Sequence, residues 1–307
     1  MGFQTQVNGL PAPGIEGDFA DFNPRFTALA GPGGLVAGAS GVSIGKACWF
    51  SYQGIDPDNG PTIVNSFGSG VPDGLVPRPG QQSIITTYLA DASMTINRGL
   101  PVWVMTSGGL WVVNNGSALA MRGQKMYAAF NSGVLSFAAT GSASTASLTT
   151  SSIAAATTIA CTGSISGNVL TVTAISAGTI YPGAILTGTG VATGTQVVAQ
   201  LSGTAGGIGT YALSIAEQSV VSEAIAGTYG VLTVGAGTPI IGGVLSGSGV
   251  TTGTVVFQQL TASTWVVSPS QTASSTTITE TLNVETKWLA VSSSGVGEIV
   301  KVSDITQ

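Results

Sequence analysis

The feature that most constrains this chain is a long internal run without charge. No Asp, Glu, Lys or Arg occurs between Lys125 and Glu217. A membrane-spanning helix needs about 18–20 consecutive apolar residues, but Gly, Thr and Ser interrupt the apolar residues of this run, as in Thr187–Gly190. β-Branched residues in short alternating runs with glycine between them are typical of strands and tight turns. The run therefore predicts β-structure and no membrane span.

Composition excludes several classes of function. Charged residues make up 7% of the 307 residues, against about a quarter in an ordinary domain. A hydrophobic content of 43% is too high for a typical disordered chain, and eight basic residues are too few for a nucleic-acid binder. The absence of histidine removes the commonest general base and metal ligand. We expect no enzyme activity, no cofactor, no metal site and no nucleic-acid partner.

Two further features bear on where the protein is made. Cys48 and Cys161 allow at most one disulfide, so we expect two small buried thiols in a reducing compartment. Residues 1–17 lack the basic start and apolar core of a signal peptide. Both features favour synthesis in the cytoplasm.

Charge also divides the chain into two parts. All eight basic residues lie outside 141–280, where the only charged residues are Glu217, Glu223 and Glu280. Small polar residues are concentrated at both ends of this stretch, as in domain linkers. We predict a discontinuous first domain, 1–140 plus 281–307, interrupted by an insert at 141–280.

The insert contains an internal repeat. The matching pairs are Val169–Val172 with Val231–Val234, Gly183–Thr195 with Gly242–Thr254, and Tyr211 with Trp265. Shared apolar and aromatic positions predict two small antiparallel β-domains in tandem, at about 163–226 and 227–280. Disorder is the alternative for a segment of such low complexity, but the matched positions favour two folded copies.

The flanking parts contain further strand candidates. They are Leu100–Met105, Leu110–Val113, Ala118–Met121, Met126–Phe130, Val134–Ala138, Lys287–Val291 and Glu298–Val302. Asn-Gly within Asn114–Gly116 predicts a β-hairpin turn between the second and third of these. Ile84–Ser93 has weak helical character. Residues 1–35, with four prolines and seven glycines, predict an extended N-terminal arm.

Two short motifs resemble functional sites. Gly41–Gly45 matches the G-x-S-x-G nucleophile elbow, but that motif needs a strand-turn-helix context and a histidine. Asp56–Gly60 resembles the start of a calcium loop, but it has glycine where an oxygen ligand is required and lacks the closing glutamate. We interpret both motifs as β-turn sequences.

A series of short segments outside the insert occurs in a characteristic order. They are Gly14–Ala20, Asn23–Arg25, Ala30–Gly38, Leu75–Arg78, Ile84–Met94, Gly123–Ala128, Phe137–Gly141, Glu285–Trp288 and Gly297–Lys301. As an ordered set they resemble the structural cement (capsid decoration) proteins of tailed bacteriophages. The resemblance covers about 1–141 and 282–304.

This resemblance implies an all-β fold with a jelly-roll-like barrel or sandwich. It also implies a protein that binds the major capsid protein on the outer surface of the virion and clamps adjoining capsomers. The protein would associate with itself, as a dimer at a two-fold axis or as a trimer. It would contact neither nucleic acid nor membrane.

Four arm residues are the candidate anchors on the capsid. Phe19, Phe22, Arg25 and Phe26 belong to residue types enriched at interface hot spots. Packing within the chain's own core is the alternative role for the same residues. At the level of function, the alternative is a fibre or surface adhesin module that contacts host glycans through the β-repeats.

Overall fold

The computed structural model describes residues 14–51, 60–78, 94–155 and 158–305, and the regular elements among them are all β-strands. The all-β fold class is therefore confirmed. No described segment forms a helix that is long and apolar enough to cross a membrane. The helical signal at Ile84–Ser93 and most of the turn at Asp56–Gly60 lie outside the described residues.

Strands from both ends of the chain build what we call the basal region. They are β1 (Phe26–Thr27), β2 (Leu35–Ala37), β3 (Val42–Ser43), β4 (Ala47–Ser51), β5 (Thr62–Asn65), β6 (Gly74–Leu75), β7 (Thr95–Ile96), β8 (Met105–Ser107), β9 (Gly109–Val113), β10 (Lys125–Ala129), β11 (Leu135–Ala138), β24 (Asn283–Ala290) and β25 (Ile299–Ser303). They form a six-stranded sheet in the order β1-β8-β6-β4-β5-β2, a five-stranded sheet in the order β11-β10-β24-β25-β9, and the pair β3-β7.

The main core lies between the two large sheets, as in a β-sandwich. Trp49 and Met105 from the six-stranded sheet belong to the same buried cluster as Trp288 and Val300 from the five-stranded sheet. Cys48, the neighbour of Trp49 on β4, belongs to a second buried cluster, because successive strand residues point to opposite faces. The six-stranded sheet is thus covered by apolar side chains on both faces.

The last two strands of the chain complete this sandwich. β24 lies between β10 and β25 in the middle of the five-stranded sheet. The predicted strands Met126–Phe130, Val134–Ala138, Lys287–Val291 and Glu298–Val302 are confirmed as β10, β11, β24 and β25, with β24 starting earlier, at Asn283.

The hairpin predicted at Asn114–Gly116 is wrong. Ala118–Met121 forms no strand, and only Ala120 makes an isolated bridge, to Ser294. β9 pairs instead with β25, and the Asn114 amide donates to the carbonyl oxygens of Ala118 and Gly295 at 2.9 and 3.2 Å. A pairing distant in sequence outweighed the local turn signal.

The strand predicted at Leu100–Met105 is also mostly wrong, since β8 begins only at Met105. Pro101 forms a single isolated bridge with Val36. Proline has no N–H group with which to extend a ladder.

The remaining strands form two six-stranded units. Repeat A consists of β13 (Ile159–Gly167), β14 (Val169–Ala177), β15 (Ile185–Thr187), β16 (Val197–Gly203), β17 (Gly209–Leu213) and β18 (Gln218–Thr228). Repeat B consists of β12 (Thr145–Ala155), β19 (Gly230–Thr233), β20 (Val244–Ser246), β21 (Thr254–Gln259), β22 (Thr264–Ser268) and β23 (Ala273–Thr281).

The two repeats have the same strand order. Repeat A runs β15-β18-β13-β14-β17-β16, and repeat B runs β20-β23-β12-β19-β22-β21 before β21 pairs with β20 to close a barrel. In repeat A the corresponding strands β15 and β16 are joined through the isolated bridge between Ile185 and Gln196. The repeated sequence therefore produces a repeated topology.

The repeats are nested along the chain. β12 lies before repeat A in sequence, yet it pairs with β19 and β23 of repeat B. The sequence repeat predicted one copy after the other, with the second starting at about 227. It did not detect β12 as a strand of the second copy, because the shared motifs lie in the later strands of each unit.

Equivalent glycines connect the units. Gly183 of repeat A and Gly242 of repeat B both have positive φ, at +91° and +86°. The Phe257 ring of repeat B packs on Gly183, and Gly68 and Phe130 of the basal region pack on Gly242. A side chain at either glycine would collide with the neighbouring unit, so each repeat joins the next unit through the same turn.

Both cysteines are buried and unpaired, as predicted. Burial raises the pKa of the Cys48 and Cys161 thiols. A thiol that stays protonated is a weak nucleophile.

Candidate interaction surface

The described part of the arm is fixed to the basal region by backbone pairing. The Gly17 N–H donates to the Trp111 carbonyl at 2.7 Å, and the Trp111 N–H donates to the Asp18 carbonyl at 2.8 Å. The Ala20 N–H donates to the Gly109 carbonyl at 3.0 Å. The described part of the arm thus covers the outer edge of β9.

Ion pairs add to this attachment. Lys46 lies 2.9 Å from Glu16, Arg78 lies 3.5 Å from Asp18, and Lys301 lies 3.1 Å from Asp21. Three of the eight basic residues are therefore used to hold three arm carboxylates. This pattern explains why acidic residues occur in a segment that has no core of its own.

Two of the four candidate anchors pack within the chain itself. Phe19 is partly buried against the main core and forms an isolated bridge with Leu110. The Arg25 guanidinium lies 3.9 Å from the centre of the Phe19 ring, within cation–π distance. The contacts of Phe19 match the alternative of packing within the chain's own core, whereas Arg25 is exposed and contacts the Phe19 ring from the surface.

The other two candidate anchors face solvent. Phe22 is fully exposed and Phe26 is 63% exposed, and the nearby Leu29 and Trp103 are 97% and 53% exposed. We call these four residues the edge patch. Monomeric proteins seldom expose several large apolar side chains together unless they bind something.

The backbone brings Phe26 and Trp103 of the edge patch close together. β1, which contains Phe26, pairs with β8, and the Ala28 N–H donates to the Val104 carbonyl at 2.9 Å. A groove of about 410 Å³ lies between residues 27–36 and 101–104 and includes Trp103 in its wall. Sequence reasoning missed Trp103, although its position between buried Val102 and Val104 is the alternation of an outward-facing side chain.

The edge patch also includes open backbone. Among the residues that the structure describes, β1 is the terminal strand of the six-stranded sheet and pairs on one side, with β8. An edge strand presents N–H and C=O groups that can pair with a strand of another chain. The surface can therefore supply both apolar contacts and backbone hydrogen bonds.

A second apolar surface lies at the other end of β9. Leu119, Met121 and Val296 are 65%, 59% and 54% exposed, and the bridge between Ala120 and Ser294 holds their two loops together. We call these three residues the loop patch. β9 runs from Gly109, which follows Gly108 near Arg25, to Val113, next to the loop of Asn114, so the two patches lie towards opposite ends of this strand.

The described residues do not give Ser43 the setting of a nucleophile elbow. Ser43 lies on β3, which pairs antiparallel with β7, and not at a strand-to-helix turn. The described part of the chain contains no group of three or more metal-binding side chains.

One buried carboxyl group lies at the junction between repeat B and the basal region. Glu280 is completely buried, and its Oε1 accepts a hydrogen bond from the Ile240 N–H at 2.9 Å. Its Oε2 has no hydrogen-bond partner among the described residues. Burial raises the pKa of Glu280 to about 7, against the opposing effect of the Ile240 N–H. Ile240 itself packs against the main basal core.

Comparison with known proteins gives one family. The family model described as XM1 gp53 minor capsid protein matches residues 3–176, more than half of the chain. The match starts in the arm and extends past residue 140 into β14, so it does not stop where the predicted insert begins. No curated protein matches the chain.

Proposed function

The chain belongs to the XM1 gp53 minor capsid protein family, and from this premise we propose that it decorates the outer surface of a bacteriophage capsid. The family supports a structural role in the virion. In the proposal, the protein binds the major capsid protein, bridges adjoining capsomers and stabilises the shell. It is made in the host cytoplasm and acts as a homo-oligomer, either a dimer at a two-fold axis or a trimer.

The edge patch is the observation that carries this proposal. Phe22, Phe26, Leu29 and Trp103 leave large apolar areas in water, which is unfavourable unless a partner covers them. Each aromatic that becomes fully buried at an interface contributes about 2 kcal/mol or more at a hot spot. The proposal assigns this surface to the capsid contact.

The attachment of the arm supports tight binding. Because residues 14–20 are held against β9 by hydrogen bonds and ion pairs, the neighbouring edge patch is ordered before the capsid binds. Ordering a flexible segment at the moment of binding costs affinity. A preformed surface avoids part of that cost.

Bridging requires contacts at two places, and the basal region offers two apolar surfaces. The edge patch and the loop patch lie at opposite ends of β9. One patch can contact one capsomer while the other contacts a second capsomer or a second copy of this chain.

The repeats then form a projection, which we propose as the role of 141–280. The chain leaves and rejoins the basal region at one place: the Ser144 N–H donates to the Asn283 side chain at 2.8 Å, and the Gly141 N–H donates to Glu285 at 2.8 Å. The hydrogen bond from the Gly141 N–H is the largest cause of the lowered pKa of Glu285. The Tyr127 hydroxyl and Lys125 lower this pKa further. Segments whose ends lie together can be inserted without disturbing their host domain.

Rebinding to depleted capsids tests the proposal. Capsids stripped of this protein are mixed with the wild-type protein or with Phe26→Ser and Trp103→Ser variants, and the bound protein is measured by sedimentation. Both substitutions lie on exposed side chains, so the fold should persist, and binding should fall by roughly tenfold or more for each. Val221→Ser, on an 82% exposed residue of repeat A, is the matched control and should bind fully. Equal binding by all variants would contradict the proposal.

A second candidate function is the fibre or adhesin module that contacts host glycans. The observation that favours it is the low charge of the repeats, which contain no basic residue and only three carboxyl side chains, Glu217, Glu223 and Glu280. Labelled antibody against the protein distinguishes the two functions, because cement lies over the head shell and an adhesin lies on the tail or its fibres.

A further inference from the structure

A cleft opens where the basal region, repeat A and repeat B meet. Its volume is about 550 Å³, within the size range of small-molecule sites. Phe50 and Phe67 contribute aromatic rings from the basal side, and Phe257 contributes one from repeat B. All three are partly exposed, so part of each side chain is accessible from the cleft.

Uncharged polar groups surround these rings. Ser51, Asn65 and Ser69 line the basal wall; Ser51 and Ser69 are partly or fully exposed, and Asn65 is buried. On the opposite wall, Gln196 donates through Nε2 to the Gly183 carbonyl and to Ser268. Its Oε1 is left as an acceptor for a ligand.

Ser214 completes this polar set. Its hydroxyl oxygen accepts the Gln196 N–H at 2.9 Å, which leaves the hydroxyl proton for another acceptor. The residues that line the cleft thus provide both donors and acceptors.

The absence of charged side chains in the cleft restricts the chemistry of its ligand. None of the described residues that line it carries an ionisable acid or base. A charged ligand would lose its hydration without gaining an opposite charge. The ligand must therefore be neutral.

We propose that this cleft binds a neutral saccharide, and the inference rests on the second candidate function. A pyranose ring offers flat C–H faces for the aromatic side chains and a rim of hydroxyls for the serine, asparagine and glutamine groups. A purely apolar ligand would leave these polar groups unpaired, which is costly.

Saturation-transfer NMR tests the inference on the full chain. The probes are the methyl glycosides of glucose, galactose and N-acetylglucosamine, with 1-octanol as an apolar comparison. At least one glycoside should bind the wild-type protein with an affinity in the millimolar range. Ser69→Trp and Ser214→Trp place a large side chain at exposed positions of the two walls, and each should weaken that affinity by at least roughly tenfold.

Ser263→Trp is the control, because Ser263 is exposed on repeat B and lies outside the cleft lining. It should bind the glycoside like the wild type. Binding of 1-octanol alone, or glycoside binding that survives both cleft substitutions, would overturn the inference.

The same variants separate this inference from the capsid proposal. Ser69→Trp and Ser214→Trp leave the edge patch unchanged, so their binding to stripped capsids should equal that of the wild type. Normal capsid binding together with no glycoside binding by the wild-type protein would refute the saccharide site and leave the capsid role standing.

Discussion

The basal region and the repeats are stabilised by different chemistry. All five ion pairs between described residues lie in the basal region, and three of them hold the arm. The repeats contain no basic residue and rely on apolar cores and neutral hydrogen bonds. The comparison shows that ion pairs help to attach the arm, which has no core of its own. The repeats, which have apolar cores, are stabilised without ion pairs.

The neutral hydrogen bonds recur in both repeats. Thr195 donates to the Ala192 carbonyl at 2.7 Å, and Gln218 accepts the Ala192 N–H at 2.9 Å. In repeat B, Thr254 donates to the Thr251 carbonyl at 2.7 Å, and Gln271 accepts the Thr251 N–H at 2.6 Å. The same side-chain pair thus fixes the same turn twice.

The largest expected effect comes from removing the matched aromatic core residues. Tyr211 is completely buried and Trp265 is 5% exposed, each in the core of its own repeat. Substitution of either by alanine should destabilise its repeat by about 3–5 kcal/mol. Hydrogen exchange should show the loss of protection mainly in the repeat that carries the substitution. Equal loss in both repeats would show that they unfold as one unit.

A smaller change in the free energy of unfolding is expected at the junction between repeat B and the basal region. Glu280 has an ordinary pKa of 4.5 and a folded-state pKa of about 7, so the folded protein holds a proton that the unfolded chain releases. The neutral Glu280 carboxyl therefore makes its full contribution to the free energy of unfolding below about pH 4.5. This contribution is lost as the pH rises through about 7. Glu280→Gln keeps the N–H contact without the ionisation.

The Glu280→Gln variant should therefore be more stable than the wild type at pH 8, by roughly 3 kcal/mol, and should show little difference at pH 4. Thermal unfolding of both proteins across this pH range measures the effect. A constant difference between pH 4 and pH 8 would contradict the assigned ionisation.

The smallest effect is expected for a single arm ion pair. Lys301→Met removes the contact with Asp21 but keeps most of the side-chain length, and partly exposed ion pairs contribute at most about 1 kcal/mol. The stability difference from the wild type should shrink further in high salt. Arg98→Met is the control, since Arg98 forms no ion pair with a described residue. A loss of several kcal/mol would mean that the charges, and not backbone pairing, hold the arm.

The sequence predicted the parts of the fold that depend on local pattern. Alternation identified β10, β11 and β25, and the Gly-rich repeat identified two related units. It failed where the outcome depends on distant partners: β9 pairs with β25 and not with Ala118–Met121, and β12 completes a barrel whose other strands begin at Gly230.

The sequence predicted only part of the candidate surface, again because contacts between distant residues decide which side chains are exposed. Aromatic residues in the arm were visible in the sequence, but which of them face inward depends on the docking of the arm on β9. Phe19 is covered by that docking, whereas Phe22 and Phe26 remain exposed. Whether they contact the capsid stays a prediction.

The central claim is that the basal region alone holds the capsid and the repeats project from it. The most direct test replaces 142–281 by a short Gly/Ser linker between the adjacent strand ends and measures the occupancy of stripped capsids by sedimentation. Circular dichroism first confirms that the shortened protein retains its β-structure. The account predicts the same occupancy as for the full chain. A folded variant that no longer binds capsids would contradict it, because the repeats would then be part of the capsid contact.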